Sequence, residues 1–235
     1  MRKFRQKYYD WFSTVYDRFV AMHSADQQGM LKQYLAEQTG AGQGSRLLDI
    51  CCGTGSLLEH LAKKTGDSGL VVGVDFSFGM LTVAGDKTRG SRRVFLVQAD
   101  AGRLPFKTQI FDALTCAHAF YELKGDSQER ALGEIARTLK PGKPFLMMEH
   151  DIPQKRFIRM LFYLRLLSMG ARRALQILKY EQQVLADHFD AVEKILTPTG
   201  RSKIYVCQNL RCGAARRLPA FAGKTKRRCG YRSKP

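Results

Sequence analysis

Apolar and polar positions along this chain follow two alternating rhythms. Short apolar runs are each followed by a stretch with apolar residues three or four positions apart. RLLDICC precedes SLLEHLAKKT, and LVVGVDF precedes FGMLTVAGDKT. RVFLVQAD leads into a loop containing LPF, FDALTCAHAF precedes SQERALGEIARTLK, and PFLMMEHD precedes a longer helical stretch over 155–188. VEKILTP and KIYVCQN, separated by TGRS, read as a hairpin. Ahead of these lies a helical segment, roughly 4–38, rich in aromatics (Phe4, Tyr8, Trp11, Phe12, Tyr16, Phe19), and then a break at Gly40–Gly44. No internal repeat is visible. Strand–helix alternation predicts an α/β fold: a parallel sheet covered on both faces, with an antiparallel addition at the end. Such sheets bind ligands at the carboxyl ends of their strands, where the strand order reverses.

That location is where the chain places its most unusual residues. The first strand ends in Cys51-Cys52 and runs into Gly53-Thr54-Gly55. The glycines allow a sharp turn and a close approach to a ligand, and the following helix points free N–H groups at the same place. Leu58 stands where a dinucleotide fingerprint would have its third glycine. Asp75 ends the second strand, where a carboxylate can accept two ribose hydroxyls. Asp100 ends the third, where it could take an adenine amino group. Asp49, just before the loop, would repel a pyrophosphate and suits a ligand carrying an ammonium group. Any one of these aspartates could be a cap or turn residue; three at successive strand ends point to a nucleoside with an amino-acid end, S-adenosylmethionine.

LLDICCGTGSL, VVGVDFSFGML, VQADAGRLPF, FDALTCAHAF and EIARTLKPGKPFLMMEH, in this order, resemble the successive motifs of the class I S-adenosylmethionine-dependent methyltransferases. The resemblance covers roughly residues 45–150 and is closest to the ubiquinone/menaquinone biosynthesis group, through D-x-C-C-G-T, Q-A-D…LPF and the early YDRF at Tyr16–Phe19. It implies a Rossmann-like, doubly wound, seven-stranded, mostly parallel sheet with a C-terminal antiparallel strand and helices on both faces. It implies a methyl group transferred to a small or lipid-like acceptor, quinone-type or phospholipid-type. Asp49, Cys51, Gly53 and Gly55 would surround the methionine part of the cofactor. Asp75 would hold the ribose, Phe76 and Met80 would lie against the adenine, and Asp100 and Ala101 would meet its edge. Ala117 would line the pocket near the methyl, and Tyr16 would close over it. Cys51 replaces the family's usual first loop glycine, and Cys52 occupies a position that is commonly cysteine; both read as small packing residues.

Composition adds boundaries. With 44% hydrophobic and 26% charged residues, the 235-residue chain is ordinary for a soluble protein. It has no cleavable signal pattern and no run of about 18 uncharged apolar residues, so a cytoplasmic location is expected, with peripheral membrane contact open. The six cysteines include no C-x-x-C pair and read as reduced thiols. A zinc site from Cys207, Cys212 and Cys229 lacks a histidine among its ligands and no metal is expected. Of the formal charge of +18, half sits in residues 211–235, which hold nine bases and no acid and read as a disordered tail. The expected organisation is a helical cap over 1–40, a methyltransferase domain over 41–210 and the tail over 211–235.

The acceptor side is less determined. After the fourth strand the quinone methyltransferases commonly carry Asn or Arg, and this chain has His118-Ala119-Phe120-Tyr121-Glu122. His118 is the first candidate base and Tyr121 the second; Glu122, His150 and Asp151 also fall near strand ends. Residues 155–179 carry seven bases and no acid among apolar positions at helical spacing. Such a helix can rest on an anionic membrane or simply cover the pocket. The competing readings are an RNA methyltransferase, suggested by net charge though no RNA-binding module is visible, and a protein that binds the cofactor without catalysis.

Overall fold

The computed structural model describes residues 29–123, 126–151, 160, 181–198, 200 and 202–210. Tyr16, the basic stretch 155–179 save Met160, and the tail 211–235 lie outside them. Helix α1 (Met30–Gln38) leads through Gly40–Gly44 into strand β1 (Arg46–Ile50). Then come α2 (Leu58–Thr65), β2 (Leu70–Asp75), α3 (Phe78–Thr88) and β3 (Val94–Gln98). A turn-rich segment containing LPF leads to β4 (Ala113–Ala117), a 3-10 turn at Phe120–Glu122, α4 (Asp126–Thr138) and β5 (Phe145–His150). A helical piece at 181–186 precedes the hairpin of β6 (Phe189–Leu196) and β7 (Ser202–Leu210).

The seven strands form one sheet in the order β3-β2-β1-β4-β5-β7-β6. Strands β1 to β5 pair in parallel, and β7 inserts antiparallel between β5 and β6. This is the doubly wound arrangement expected from the strand–helix alternation. Burial on both faces explains why β1, β4 and β5 read as nearly unbroken apolar runs. One face packs on α1 and α2 through Leu31, Leu35, Leu58 and Leu61 against Leu47, Val71, Leu146 and Met148. The other packs on α4 and the 181–186 helix through Leu132, Ile135 and Leu185 against Leu48, Phe145, Met147 and Tyr205. No helix among the described residues is long and apolar enough to cross a membrane.

The strand order reverses between β1 and β4. From β1 the chain winds outward through β2 and β3, then returns to β4 on β1's other side. The loops after β1 and β4 therefore part, and a crevice opens over their carboxyl ends. One glycine makes room for the loop beneath it: a Cβ on Gly73 of β2 would come 2.8 Å from Leu58 Cδ1, 3.0 Å from Cys52 Sγ and 3.1 Å from Leu96 Cδ2.

Candidate active site

The loop after β1 turns left-handed at once. Cys51 (φ 56°), Gly53 (φ 54°) and Gly55 (φ 75°) all have positive φ. This accounts for the glycine usual at the Cys51 position: the left-handed region suits a residue without Cβ, and cysteine tolerates it at a cost of roughly 1–2 kcal/mol. Gly55 is required by packing, since a Cβ there would lie 2.7 Å from Cβ of Ala84 on α3. Gly53 differs: a Cβ would meet no heavy atom within 4 Å, so the loop leaves an open cradle above it.

Asp75 ties this cradle together. Its carboxylate accepts the Gly53 N–H through Oδ2 and the Ser77 N–H through Oδ1, both at 2.9 Å. Ser77 in turn caps α3 by accepting the Met80 N–H at 3.2 Å. Asp75 thus joins the glycine loop to the start of α3, with Phe76 half-buried and Met80 buried beside it. The Phe76 carbonyl accepts from Gln98 Nε2 at 3.1 Å, which fixes it against β3.

Asp100 lies two residues beyond the end of β3 rather than at it. It sits in a turn in which its Oδ1 accepts the Gly102 N–H at 3.1 Å and its carbonyl accepts the Arg103 N–H at 2.8 Å. The buried Ala101 follows. The shelf is braced from α4: Glu134 accepts the Leu104 N–H at 2.7 Å, and Arg137 donates to the carbonyls of Phe106 and Leu104 at 2.6 and 3.0 Å. A direct Arg137–Glu134 ion pair at 2.6 Å holds the two braces together.

Asp49 is only 2% exposed, within β1 between Gly73 of β2 and Thr115 of β4. The Thr115 hydroxyl donates to its Oδ1 at 2.7 Å. Burial raises its carboxyl to about 7; the Thr115 hydrogen bond opposes this, the Asp75 charge adds to it, and Lys32 opposes it. The neighbouring thiols are equally apolar in behaviour. Burial pushes Cys52 well up, and a hydrogen bond with Cys51 followed by burial does the same for Cys116. At Cys52 and Cys116 burial thus favours the protonated thiol.

Beyond β4 lies the segment expected to face the acceptor. Ala117 ends β4 opposite Met148 of β5, and His118 turns left-handed (φ 53°) while donating its N–H to the Met148 carbonyl at 2.7 Å. The His118 ring stacks on His150, with centroids 4.3 Å apart and planes 26° from parallel. Tyr121 is half-buried within the 3-10 turn. That turn hangs on Glu149, which is fully buried and accepts the Phe120 N–H through Oε1 at 2.9 Å and a backbone hydrogen bond from Tyr121.

Glu149 belongs to a cluster that the apolar pattern did not single out. Lys203 lies opposite it in the β5–β7 register and ion-pairs with Glu181 at 2.8 Å and with Asp151 at 3.8 Å. Lys194 reaches Asp151 at 3.2 Å. Glu149, Glu181 and Lys203 are all buried. Burial, then the Glu181 charge, holds Glu149 well above the carboxylate range; burial raises Glu181 to about 7 against the pull of Lys203. A glutamate ending the apolar run FLMM was the one visible hint of this cluster. The structure brings Asp49, Cys51, Gly53, Gly55, Asp75, Phe76 and Met80 to one side of the crevice, with Ala117 and His118 across the reversal point.

The residues fit S-adenosylmethionine. The cradle over Gly53 is open, the buried Asp49 is acidic where an ammonium group would sit, and Asp75 offers both carboxylate oxygens at the loop–helix junction. Comparison with known proteins agrees. Residues 47–142 match the methyltransferase domain. The demethylmenaquinone methyltransferase of Staphylococcus aureus (strain JH9) is 36% identical over 141 residues, which make up 60% of this chain and 58% of that protein. Among solved structures, an S-adenosylmethionine-dependent methyltransferase from Aquifex aeolicus superposes with a TM-score of 0.57 at 18% identity, over 78% of this chain and 94% of that one. The [4+2]-cyclase SpnF superposes with a TM-score of 0.51 at 22% identity, over 77% and 81%. These two likenesses concern the fold, which serves more than one chemistry. The domain match, the curated relative, of whose length this chain spans little more than half, and the glycine loop held by Asp75 together make residues 47–142 similar to the methyltransferase domain and to the demethylmenaquinone methyltransferases.

Proposed function

We propose that the protein transfers a methyl group from S-adenosylmethionine to a small, lipid-like, quinone-type acceptor. The observation that carries this reading is the double hydrogen bond of Asp75 to the glycine loop and to the start of α3. In that position its carboxylate meets a ribose, Asp49 with Cys51, Gly53 and Gly55 surrounds the methionine part, and Phe76 and Met80 face the adenine. Asp100 and Ala101 form the shelf at the adenine edge, and Ala117 lies on the methyl side. The bound cofactor supplies a sulfonium-activated methyl. The protein's task is to align the acceptor with it and to exclude water. The acceptor class follows the curated relative, whose name specifies a demethylated menaquinone. An acceptor of that kind resides in membranes. The basic stretch 155–179 suits a peripheral position on an anionic surface, with the rest of the protein in the cytoplasm.

The test is calorimetry with S-adenosylhomocysteine and NADH, followed by incubation with labelled cofactor and reduced 1,4-naphthohydroquinone. S-adenosylhomocysteine should bind, NADH should not, and label should move to the naphthohydroquinone. Tight NADH binding without S-adenosylhomocysteine binding would overturn the cofactor assignment. Cofactor binding without transfer to any acceptor would favour a non-catalytic binding protein.

Asp49 makes the binding pH-dependent. Its carboxyl is raised from the unfolded value to about 7. The stability due to the neutral form is therefore fully present below about pH 4 and is lost as pH rises through 7. An ammonium ligand favours the ionised form, so binding expels the proton. Affinity for S-adenosylhomocysteine should rise about tenfold from pH 6 to pH 8, before the ligand's own amino group deprotonates. Asp49→Asn should flatten that rise and weaken binding at pH 8. A pH-independent wild-type dissociation constant would mean that Asp49 does not face the ammonium group.

A further inference from the structure

We propose that His118 and His150 form one proton-accepting site for a hydroxyl group on the acceptor, in which His118 takes the proton and His150 positions it. This deepens the methyl-transfer reading and rests on it. Three observations converge on His118. Its backbone is left-handed although it is not glycine, a conformation that collects at functional sites. Its N–H is held by the Met148 carbonyl and its ring by the stack on His150, so the imidazole is fixed across the carboxyl ends of β4 and β5. Its Nδ1 is shielded from solvent and has no hydrogen-bond partner. A histidine that only supports the fold satisfies such a nitrogen. One left without a partner at the carboxyl ends of β4 and β5 would be satisfied by a donor on an acceptor bound against it.

Burial and the stack keep the ring neutral. Two imidazoles 4.3 Å apart do not both carry charge. Desolvation, then His150, then Lys32 on α1 hold His118 well below the ordinary imidazole range. Among the described residues, the charged groups that act on it from neighbouring elements are His150 on β5 and Lys32 on α1. With its proton on Nε2, a neutral imidazole accepts from a hydroxyl at Nδ1 and has nothing there to donate to a carbonyl, so the site selects the reduced, hydroxylated form of a quinone-type ring. The acceptor's O–H bond breaks as an N–H bond forms at Nδ1, and the freed electron pair stays on the acceptor for attack. Because the base is weak, the proton moves as the new bond forms rather than before it. The imidazolium returns its proton to water once product has left.

The experiment is an NMR titration of the histidine C2–H resonances in the full chain, wild type and His150→Phe, beside the pH profile of transfer to reduced 1,4-naphthohydroquinone. Phenylalanine keeps a ring in the stack and removes its charge. His118 should remain neutral well below the ordinary range in the wild type and titrate higher in His150→Phe. The acid limb of kcat/KM should move upward with it, a shift that a merely structural His150 would not produce. His118→Asn is the complementary variant, because asparagine tolerates the left-handed backbone. It should lower kcat by more than about 100-fold and leave S-adenosylhomocysteine binding unchanged. Ordinary titration of His118, or kcat retained in His118→Asn, overturns the proposal. The two readings fail separately: no label on any acceptor overturns methyl transfer, while an ordinary His118 titration overturns the pair whether or not transfer is found.

Discussion

Replacing Lys203 by methionine should destabilise the protein by about 3–5 kcal/mol at pH 7, the usual cost of removing one partner from a buried ion pair. Lys203 is 2% exposed and sits 2.8 Å from a carboxylate oxygen of the equally buried Glu181, facing Glu149 across the β5–β7 register. Without the cation two carboxyls share an apolar space. Both must then be neutral, and Glu181, already raised to about 7, would be driven higher. A carboxyl raised in the folded state contributes stability below its unfolded value of about 4.3 and loses it as pH climbs through the folded one. The deficit of the variant should therefore grow between pH 5 and pH 8. Denaturant unfolding at both pH values measures it. Lys203→Met combined with Glu181→Gln should recover part of the loss, since it removes the stranded charge as well. A deficit below about 1 kcal/mol would be that of an exposed pair and would place the cluster in contact with water.

The second large effect is expected at Asp75. Alanine there removes the acceptor for the Gly53 and Ser77 N–H groups and, on the proposed function, for the two ribose hydroxyls as well. A hydrogen bond to a charged group contributes about 1.5–3 kcal/mol, so losing two to the ligand should weaken S-adenosylhomocysteine by roughly 10²–10⁴-fold. The unliganded protein should also lose stability, because the two backbone donors are left without their acceptor at a cost of about 1–3 kcal/mol each. Asp75→Asn should fall between, since its amide keeps one oxygen acceptor and turns an N–H toward the other donor. Calorimetry and thermal unfolding read the two effects independently. An unchanged dissociation constant in Asp75→Ala would move the ribose site elsewhere, whatever happened to stability.

The parallel half of the fold was legible in the sequence because burial on both faces leaves little choice of residue. RLLDI, LVVGVD and FLMMEH are apolar at most of their buried positions, with the carboxylates Asp49, Asp75 and Glu149 gathered toward their carboxyl ends. The glycine loop and Asp75 were legible for a related reason, since backbone geometry and one carboxylate at a strand end are local features. Asp100 was misplaced by two residues because a turn that closes on its own aspartate continues a strand's spacing without its pairing. The Cys51 substitution was read as a matter of size, and the structure adds that the position is left-handed. Illegible were the contacts between distant residues: the His118–His150 stack, the bracing of the LPF segment by Glu134 and Arg137, and the union of Glu149, Glu181 and Lys203. Each is made by side chains whose types are common on surfaces. Only the strand order and the hairpin register bring them together.

The insertion of β7 between β5 and β6 has a consequence for the order in which the molecule is made. During synthesis from the N-terminus, β1 to β5 and their helices leave the ribosome well before residues 202–210. Until β7 arrives, β5 is an open edge of an otherwise apolar sheet. That is the situation in which a nascent chain recruits a foreign strand or a chaperone. Glu149 ends that edge with its cation still unmade, and β6 emerges with only one antiparallel neighbour to pair with, the strand that follows it. The β6–β7 hairpin would therefore form first and dock as a unit, and Lys203 would meet Glu149 and Glu181 only in that final step. A nascent chain stalled before residue 202 should be held by holdase chaperones, while the full chain released from the ribosome, with β7 free to pair, should not be.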